Sequence, residues 1–344
     1  MVMQCNSALY FPFCRQDMSS VTDSGHIQTQ HLAAIVPPEA AGQRLDRVLA
    51  ELFTDFSRTR LQQWLRAGKV TVDGKSLRAR DQVWGGEHIA VTASVEVETP
   101  WRGEAIPLDI VYEDKALIVL NKPPGLVVHP GAGNREGTLV NALLHYAPEL
   151  VHVPRAGVVH RLDKETSGLL VVARTLPAQK SLVEQLQART VKREYAAVVT
   201  GVMTAGGSVE APIGRHPVER TRMAVVTGGR EAVSHYRVLE RFRSHTYIKL
   251  QLETGRTHQI RVHMAHLHHP LVGDPVYGGR LRLPATCGPA LQEALRGFKR
   301  QALHAAALGL IHPESGEDMY WETPLPADMQ QLLEALRADA RLHA

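Results

Sequence analysis

The chain has 344 residues, enough for two domains at roughly 150 residues each. Its apolar fraction is 44% and its aromatic fraction only 5%, so a sizeable aliphatic core is expected. The balance of 39 Lys and Arg against 35 Asp and Glu, net +4, is mildly basic and does not by itself indicate a nucleic-acid partner; where the charge sits matters more. No run of about 18 apolar residues marks a membrane span. Residues 1–30 lack the basic start and apolar stretch of a signal peptide. The three cysteines, Cys5, Cys14 and Cys287, form no Cys-x-x-Cys pair, which argues against a disulfide framework or a cysteine zinc site and fits a reducing cytoplasm.

Residues 1–35 show no clear period and are read as a disordered extension. From Ala41 the pattern changes. Leu45, Val48, Leu49, Leu52 and Phe53 have helical spacing. Ser57 is placed to cap a second helix through Leu61, Trp64 and Leu65, which Gly68 stops. Val70–Val72 reads as a strand, Asp73-Gly74 as a tight turn, and Val83 and Ile89–Val91 as further strand. Over residues 41–81 nine Lys or Arg face five Asp or Glu, a local +4 equal to that of the whole chain. Arg58, Arg60, Arg66 and Lys69, with Trp64 nearby, are therefore candidates for gripping RNA phosphates; an ordinary solvated helix face is the plainer alternative. A domain over 41–95 and a Pro- and Gly-containing linker over 96–105 follow.

A larger domain is expected over 106–340. Ala116–Leu120 reads as a strand, Asn121–Gly125 as a turn and Leu126–His129 as a returning strand. Gly131-Ala132-Gly133 looks like a phosphate loop, but Glu136 stands where the third glycine belongs and no Walker pattern exists, so no nucleotide cofactor is assigned. Thr138 caps a helix through Leu144. In 157–172, Val158-Val159 and Leu169–Val172 read as short buried strands flanking His160-Arg161-Leu162-Asp163 and a Thr-Ser-Gly turn. An imidazole, a guanidinium and a carboxylate are thus held at the mouth of a sheet, although a surface turn with a local Arg–Asp pair would have the same sequence. Pro177–Ala188 is an amphipathic helix. Strands follow at Glu194–Val199, Ala232–Val238 and Tyr247–Leu252, with helices at Gln259–His266 and Met329–Ala338. Strands joined by hairpins with interspersed helices indicate an α+β domain on a mixed, mainly antiparallel sheet.

Three polar groups recur at strand ends or helix starts: Asp163 with its neighbours, Tyr195, and the stretch Thr254–His263. Arg261 lies one turn inside the last helix and can point back at the sheet mouth, supplying the cation that a partly buried carboxylate needs. Arg256 is either a site residue or a phosphate contact; Arg261 is the preferred partner. His263, His266, His268 and His269 invite a metal reading, but no carboxylate or cysteine is spaced to complete a site, and no metal is assigned.

Residues 44–74, with Arg44-Leu45-Asp46, Ser57-Arg58 and Gly68–Gly74, resemble the S4 RNA-binding domain. Gly157–Gly168, Arg193-Glu194-Tyr195, Gly255–His263 and Leu303-His304-Ala305 with His312-Pro313 resemble, in order, the motifs of the RluA-type RNA pseudouridine synthases. His129–Asn134, Arg215-His216-Pro217 and Gly273–Gly279 point further, to the subgroup acting on a large-subunit (23S) rRNA stem-loop at the subunit interface, helix 69. The resemblance spans about residues 40–338. It implies isomerisation of uridine to pseudouridine without a cofactor. Asp163 would be the essential carboxylate, either attacking the ribose or removing a sugar proton. Arg261 would orient it and Tyr195 would stack on the base. Arg161 would fill the gap left by the flipped nucleotide, and His160, Arg256 and His258 would contact RNA. The implied partner is rRNA or the assembling large subunit, met by a cytoplasmic monomer. Two other readings are a non-catalytic RNA-binding protein and a hydrolase using His160, Asp163 and Ser167; no Gly-x-Ser-x-Gly elbow supports the second.

Overall fold

The structure, a computed structural model, describes residues 27–53, 58–96, 101–131, 133–219 and 221–343, without the side chains of 27–30, 58–60 and 93–96. The chain divides into two compact units, residues 1–100 and 101–344.

The first unit begins with a correction. Ile27–Ile35, assigned above to a disordered extension, form strand β1, paired antiparallel with β3 (His88–Glu96) from Ile27 opposite Glu96 to Ile35 opposite His88. Leu32 and Ala34 pack on the core while His31, Ala33 and Ile35 face out, an alternation hidden in a polar stretch. Residues 1–26 lie outside the described residues. Helices α1 (Leu45–Leu52) and α2 (Arg58–Arg66) follow, then β2 (Val70–Val72), giving a three-stranded sheet in the order β1-β3-β2. Gly68, at φ +70°, ends α2: its own N–H reaches the Leu65 carbonyl and that of Lys69 the Trp64 carbonyl, a Schellman closure that a residue with a side chain would strain. The expected Ser57 cap lies outside the described residues. Leu45, Leu49, Leu61, Val72, Val83 and Ile89 form the dry centre.

The second unit runs β4 (Ile110–Glu113), β5 (Leu117–Lys122), α3 (Leu139–Tyr146), β6 (Ser167–Ala173), α4 (Leu176–Gln187), β7 (Lys192–Thr200), β8 (Gly207–Glu210), β9 (Ile213–Arg215), β10 (Met223–Val225), β11 (Val233–Arg241), β12 (His245–Leu252), α5 (Gln259–His266), α6 (Pro289–Gly297), β13 (Leu303–Ile311), β14 (Asp318–Glu322) and α7 (Ala327–Leu342). Nine strands form one sheet in the order β4-β5-β6-β13-β7-β12-β11-β8, with β14 paired to β13. Among the described strands only β6 and β13 run parallel, so the expected mixed, mainly antiparallel sheet with flanking helices is the one observed. That junction is narrow. A Cβ on Gly168, whose φ is +114°, would strike the Ala305 backbone, so glycine is required where β6 enters the sheet.

Thr138 caps α3 with its side chain, and α5 spans the expected residues. Two expected strands do not form. Val158 makes a single bridge to Val172, and Leu126–His129 supplies only a bridge from Val127 to Thr138. The reason at 123–126 is Lys122. Its buried ammonium donates to the carbonyls of Pro123 (2.7 Å) and Leu126 (3.0 Å), holding that stretch as a loop.

Candidate active site

The loop before β6 places Asp163 beside the parallel junction. The residues after it are fastened one by one. Lys122 Nζ donates to the Lys164 carbonyl (3.0 Å) and Arg300 Nη1 to the Glu165 carbonyl (3.2 Å). Gln301 Nε2 donates to Thr166 Oγ1 (3.0 Å), and Ser167 Oγ pairs with His304 Nδ1 (2.9 Å). Arg300 is itself forked onto Asp328 at 2.6 and 2.8 Å. Such clamping fixes a reactive side chain at little entropic cost on binding, because the loop is already ordered.

The Asp163 carboxylate, 16% exposed, has two unlike oxygens. Arg261 Nη1 donates to Oδ2 at 3.0 Å. No hydrogen bond reaches Oδ1 among the described residues; His258 Nε2 stands 4.0 Å from it. Arg261 is 5% exposed and is held in turn by Asp274, which has no exposed side-chain surface: Nε to Oδ2 at 2.7 Å and Nη2 to Oδ1 at 3.0 Å. Burial opposes the Arg261 charge, but the Asp274 and Asp163 carboxylates outweigh it and raise its pKa. A bidentate fork of this kind sets the guanidinium plane and leaves Nη1 aimed at Asp163. Asp274 Oδ1 also accepts from the backbone N–H groups of Val276 and Tyr277, at 2.8 and 3.0 Å.

Helix α5 is pinned at its start by Gln259. Its Oε1 accepts from Thr254 Oγ1 and the Arg256 N–H, and its Nε2 donates to the Val233 carbonyl and Ser234 Oγ. His258 precedes the helix in the left-handed region, φ 57°. Its Nδ1 meets the Tyr277 hydroxyl at 2.8 Å, and that hydroxyl also accepts from the Met223 N–H at 2.9 Å. Burial lowers the His258 pKa against the pull of Asp163. The Tyr277 ring has the guanidinium carbons of Arg261 and Arg222 at 5.0 and 5.4 Å from its centroid.

Tyr195, on β7, stands opposite Ala305 of β13 and Leu250 of β12. Burial raises its pKa, and the Asp163 charge adds to the rise. Asp163, Tyr195 and Arg261 line one cleft that opens to solvent, with His160, Arg161, Arg256 and His258 in the same wall. Arg161 is exposed, and its side chain has no hydrogen bond or ion pair among the described residues. It borders a second cleft that shares Asp163 and Arg261 and is closed by Val127, His129 and Pro275. His160 turns its Nε2 inward to accept from the Val171 N–H (3.2 Å), and burial pushes its pKa down to about 3. Arg256 Nε is spent on the Glu231 carbonyl at 2.8 Å.

In the small unit Arg66 is exposed and Lys69 half-buried, and the side chains of Arg58 and Arg60 lie outside the described residues. Trp64, expected beside that basic face, is instead in the core. Ser167, the nucleophile of the hydrolase reading, is buried against His304. Of the clustered histidines, His263 is bonded to Ser234 Oγ and the Ala211 carbonyl, and His269 to the Thr200 carbonyl. Sequence reasoning missed Asp274, Tyr277 and Lys122 as parts of the site. Asp274-Pro275, followed by Gly278-Gly279, carries an Asx-turn signal that marks the position of the first of these but not its partner.

A clamped carboxylate with one oxygen open, an arginine behind it and a phenol beside it define a cleft for acid–base or nucleophilic work on an inserted ring. Residues 116–266 match the RNA pseudouridylate synthase family, and residues 43–89 match the S4 domain. The chain is 57% identical to the ribosomal large subunit pseudouridine synthase D of Pseudomonas aeruginosa, over 89% of this chain and 96% of that one. It is 58% identical to the protein of the same name from Xanthomonas campestris, over 89% and 93%. Among solved structures, human RNA pseudouridylate synthase domain containing 4 superposes with a TM-score of 0.53 at 29% identity, covering 67% of this chain and 93% of that one. Human RNA pseudouridylate synthase domain containing 1 gives 0.50 at 27%, covering 69% and 97%. The chain belongs to the RNA pseudouridine synthase family. It is an isomerase that carries an S4 domain ahead of its catalytic unit.

Proposed function

We propose that this enzyme converts uridine to pseudouridine in large-subunit (23S) ribosomal RNA, at the helix 69 stem-loop, as a cytoplasmic monomer acting on rRNA or the assembling subunit. The names of its relatives support the large-subunit substrate. No helix among the described residues is long and apolar enough to cross a membrane.

The reaction is balanced within one nucleotide. The N1–C1′ bond breaks, the uracil turns, and a C5–C1′ bond forms. C5 gives up its proton and N1 takes one, so isomerisation calls for no oxidant or group donor. Asp163 starts it through the carboxylate edge that Arg261 leaves open, by attack at C1′ or by removing the C2′ proton. Arg261 orients it, and Asp274 orients Arg261. Tyr195 gives the base a face to stack on. The target must leave its stack at a cost of a few kcal/mol, and Arg161, exposed at the mouth of both clefts, takes the vacated place. Arg256, His258 and His160 form the wall against which the RNA sits. In the small unit Arg58, Arg60, Arg66 and Lys69 contact phosphates, which position the RNA without reading its sequence.

The observation that carries this reading is the open oxygen of Asp163, in one cleft with Tyr195 and Arg261. The test is pseudouridine mapping of rRNA from cells carrying only Asp163→Asn. Loss of the modification with the protein still folded is expected. Unchanged sites would end the proposal for those RNAs.

A further inference from the structure

The gap between His258 and Asp163 has a chemical signature. The Tyr277 hydroxyl accepts from the Met223 N–H and pairs with His258 Nδ1 (2.8 Å); taken as the donor of that pair, it spends its own proton on the imidazole. An imidazole that accepts at Nδ1 carries its proton on Nε2. This tautomer follows from the bonding pattern rather than from observed hydrogens. His258 therefore presents an N–H toward Asp163 Oδ1, but at 4.0 Å, too far for a direct bond. One atom placed about 2.8 Å from both would complete two hydrogen bonds, provided it accepts from the imidazole and donates to the carboxylate.

We propose that His258 is a specificity-determining contact that reads the ribose 2′-hydroxyl of the target nucleotide, seated between His258 Nε2 and Asp163 Oδ1. This inference rests on the function proposed above. Its logic is by elimination within the substrate. Uracil carbonyls only accept, and the ring N3–H only donates. The 3′ and 5′ oxygens of an internal nucleotide are esterified. Among these groups the 2′-hydroxyl alone both accepts and donates, and it is also the group that separates RNA from DNA. His258 borders both clefts that meet at Asp163, as such a contact requires. The left-handed backbone at His258 holds the ring in this place ahead of α5.

The test uses the full chain and two RNA stem-loops that differ only in uridine or 2′-deoxyuridine at the target. Single-turnover rates give a ribose-to-deoxyribose ratio for each protein. In the wild type the ratio includes the His258 contact. In His258→Ala it is expected to fall about fivefold to tenfold, the worth of one hydrogen bond. His258→Gln, which restores an N–H donor, should recover part of it. An equal ratio in wild type and His258→Ala overturns the inference and assigns the gap to water; so does a Gln variant that loses as much as Ala. If His258→Ala does not fold, Tyr277→Phe carries the test. It frees Nδ1 and lets the ring take the other tautomer, and an unchanged ratio again overturns the inference. A wild-type enzyme that leaves the uridine stem-loop unmodified would instead count against the proposed function.

Discussion

The tripeptide Arg-Leu-Asp occurs in both units, at 44–46 and at 161–163, and the two copies do opposite things. In the small unit Arg44 folds back on its own neighbour, Nε to Asp46 Oδ1 at 3.1 Å, and Gln62 of the next helix donates to Asp46 Oδ2 at 2.8 Å. Asp46 is fully buried and both of its oxygens are engaged. In the large unit Arg161 makes no bond to Asp163, whose partner Arg261 comes from 98 residues further on. One oxygen of Asp163 stays open to a cleft. A carboxylate satisfied on both sides is a strut. A carboxylate satisfied on one side by a distant, braced cation is available for chemistry.

The contrast is broken most severely at Arg261. Arg261→Met leaves Asp274 buried without its partner, and a loss of about 3–5 kcal/mol is expected in chemical denaturation, together with loss of pseudouridine formation. A stable, active variant would show that the fork to Asp274 has no part in presenting Asp163. Asp46→Ala should cost less, about 1–3 kcal/mol, by removing the acceptor shared by Arg44 and Gln62. Its turnover at saturating RNA should match wild type, and a slowed rate there would mean that the two carboxylates are not divided between structure and reaction as described. Arg161→Ala should shift stability by less than about 0.5 kcal/mol, since the side chain has no bonded partner among the described residues. Single-turnover rate on a folded stem-loop should nevertheless drop, and should recover when the target uridine is placed in unpaired RNA. A drop of equal size on both RNAs would remove the wedge role.

Much of this was legible in the residues because it is local. The start and stop of α5, the Thr138 cap on α3 and the Gly68 closure of α2 follow from side chains within a few positions of the feature they control. The place of Arg261 one turn inside α5 pointed to Asp163, but the family resemblance was needed to bring Asp163, Tyr195 and Arg261 into one site, since periodicity says nothing of which strands pair. The most consequential miss is β13. Its run from Leu303 to Ile311 is rich in alanine, with no alternation to reveal a strand buried between β6 and β7. Asp274 and Lys122 escaped for a related reason. Each is a charged residue beside a proline, which reads as turn chemistry until the buried partner is seen.

The fastenings on the loop after Asp163 come from opposite ends of the large unit: Lys122 before it, and Arg300, Gln301 and His304 well after it, with Arg300 secured by Asp328 near the start of the last helix. During synthesis the carboxylate therefore emerges from the ribosome long before the side chains that hold it still. A nascent polypeptide halted short of residue 328 holds Asp163 but lacks the brace on its clamp. The loop that carries Asp163 is therefore held in place only once β13 and the first turn of α7 have been made and packed.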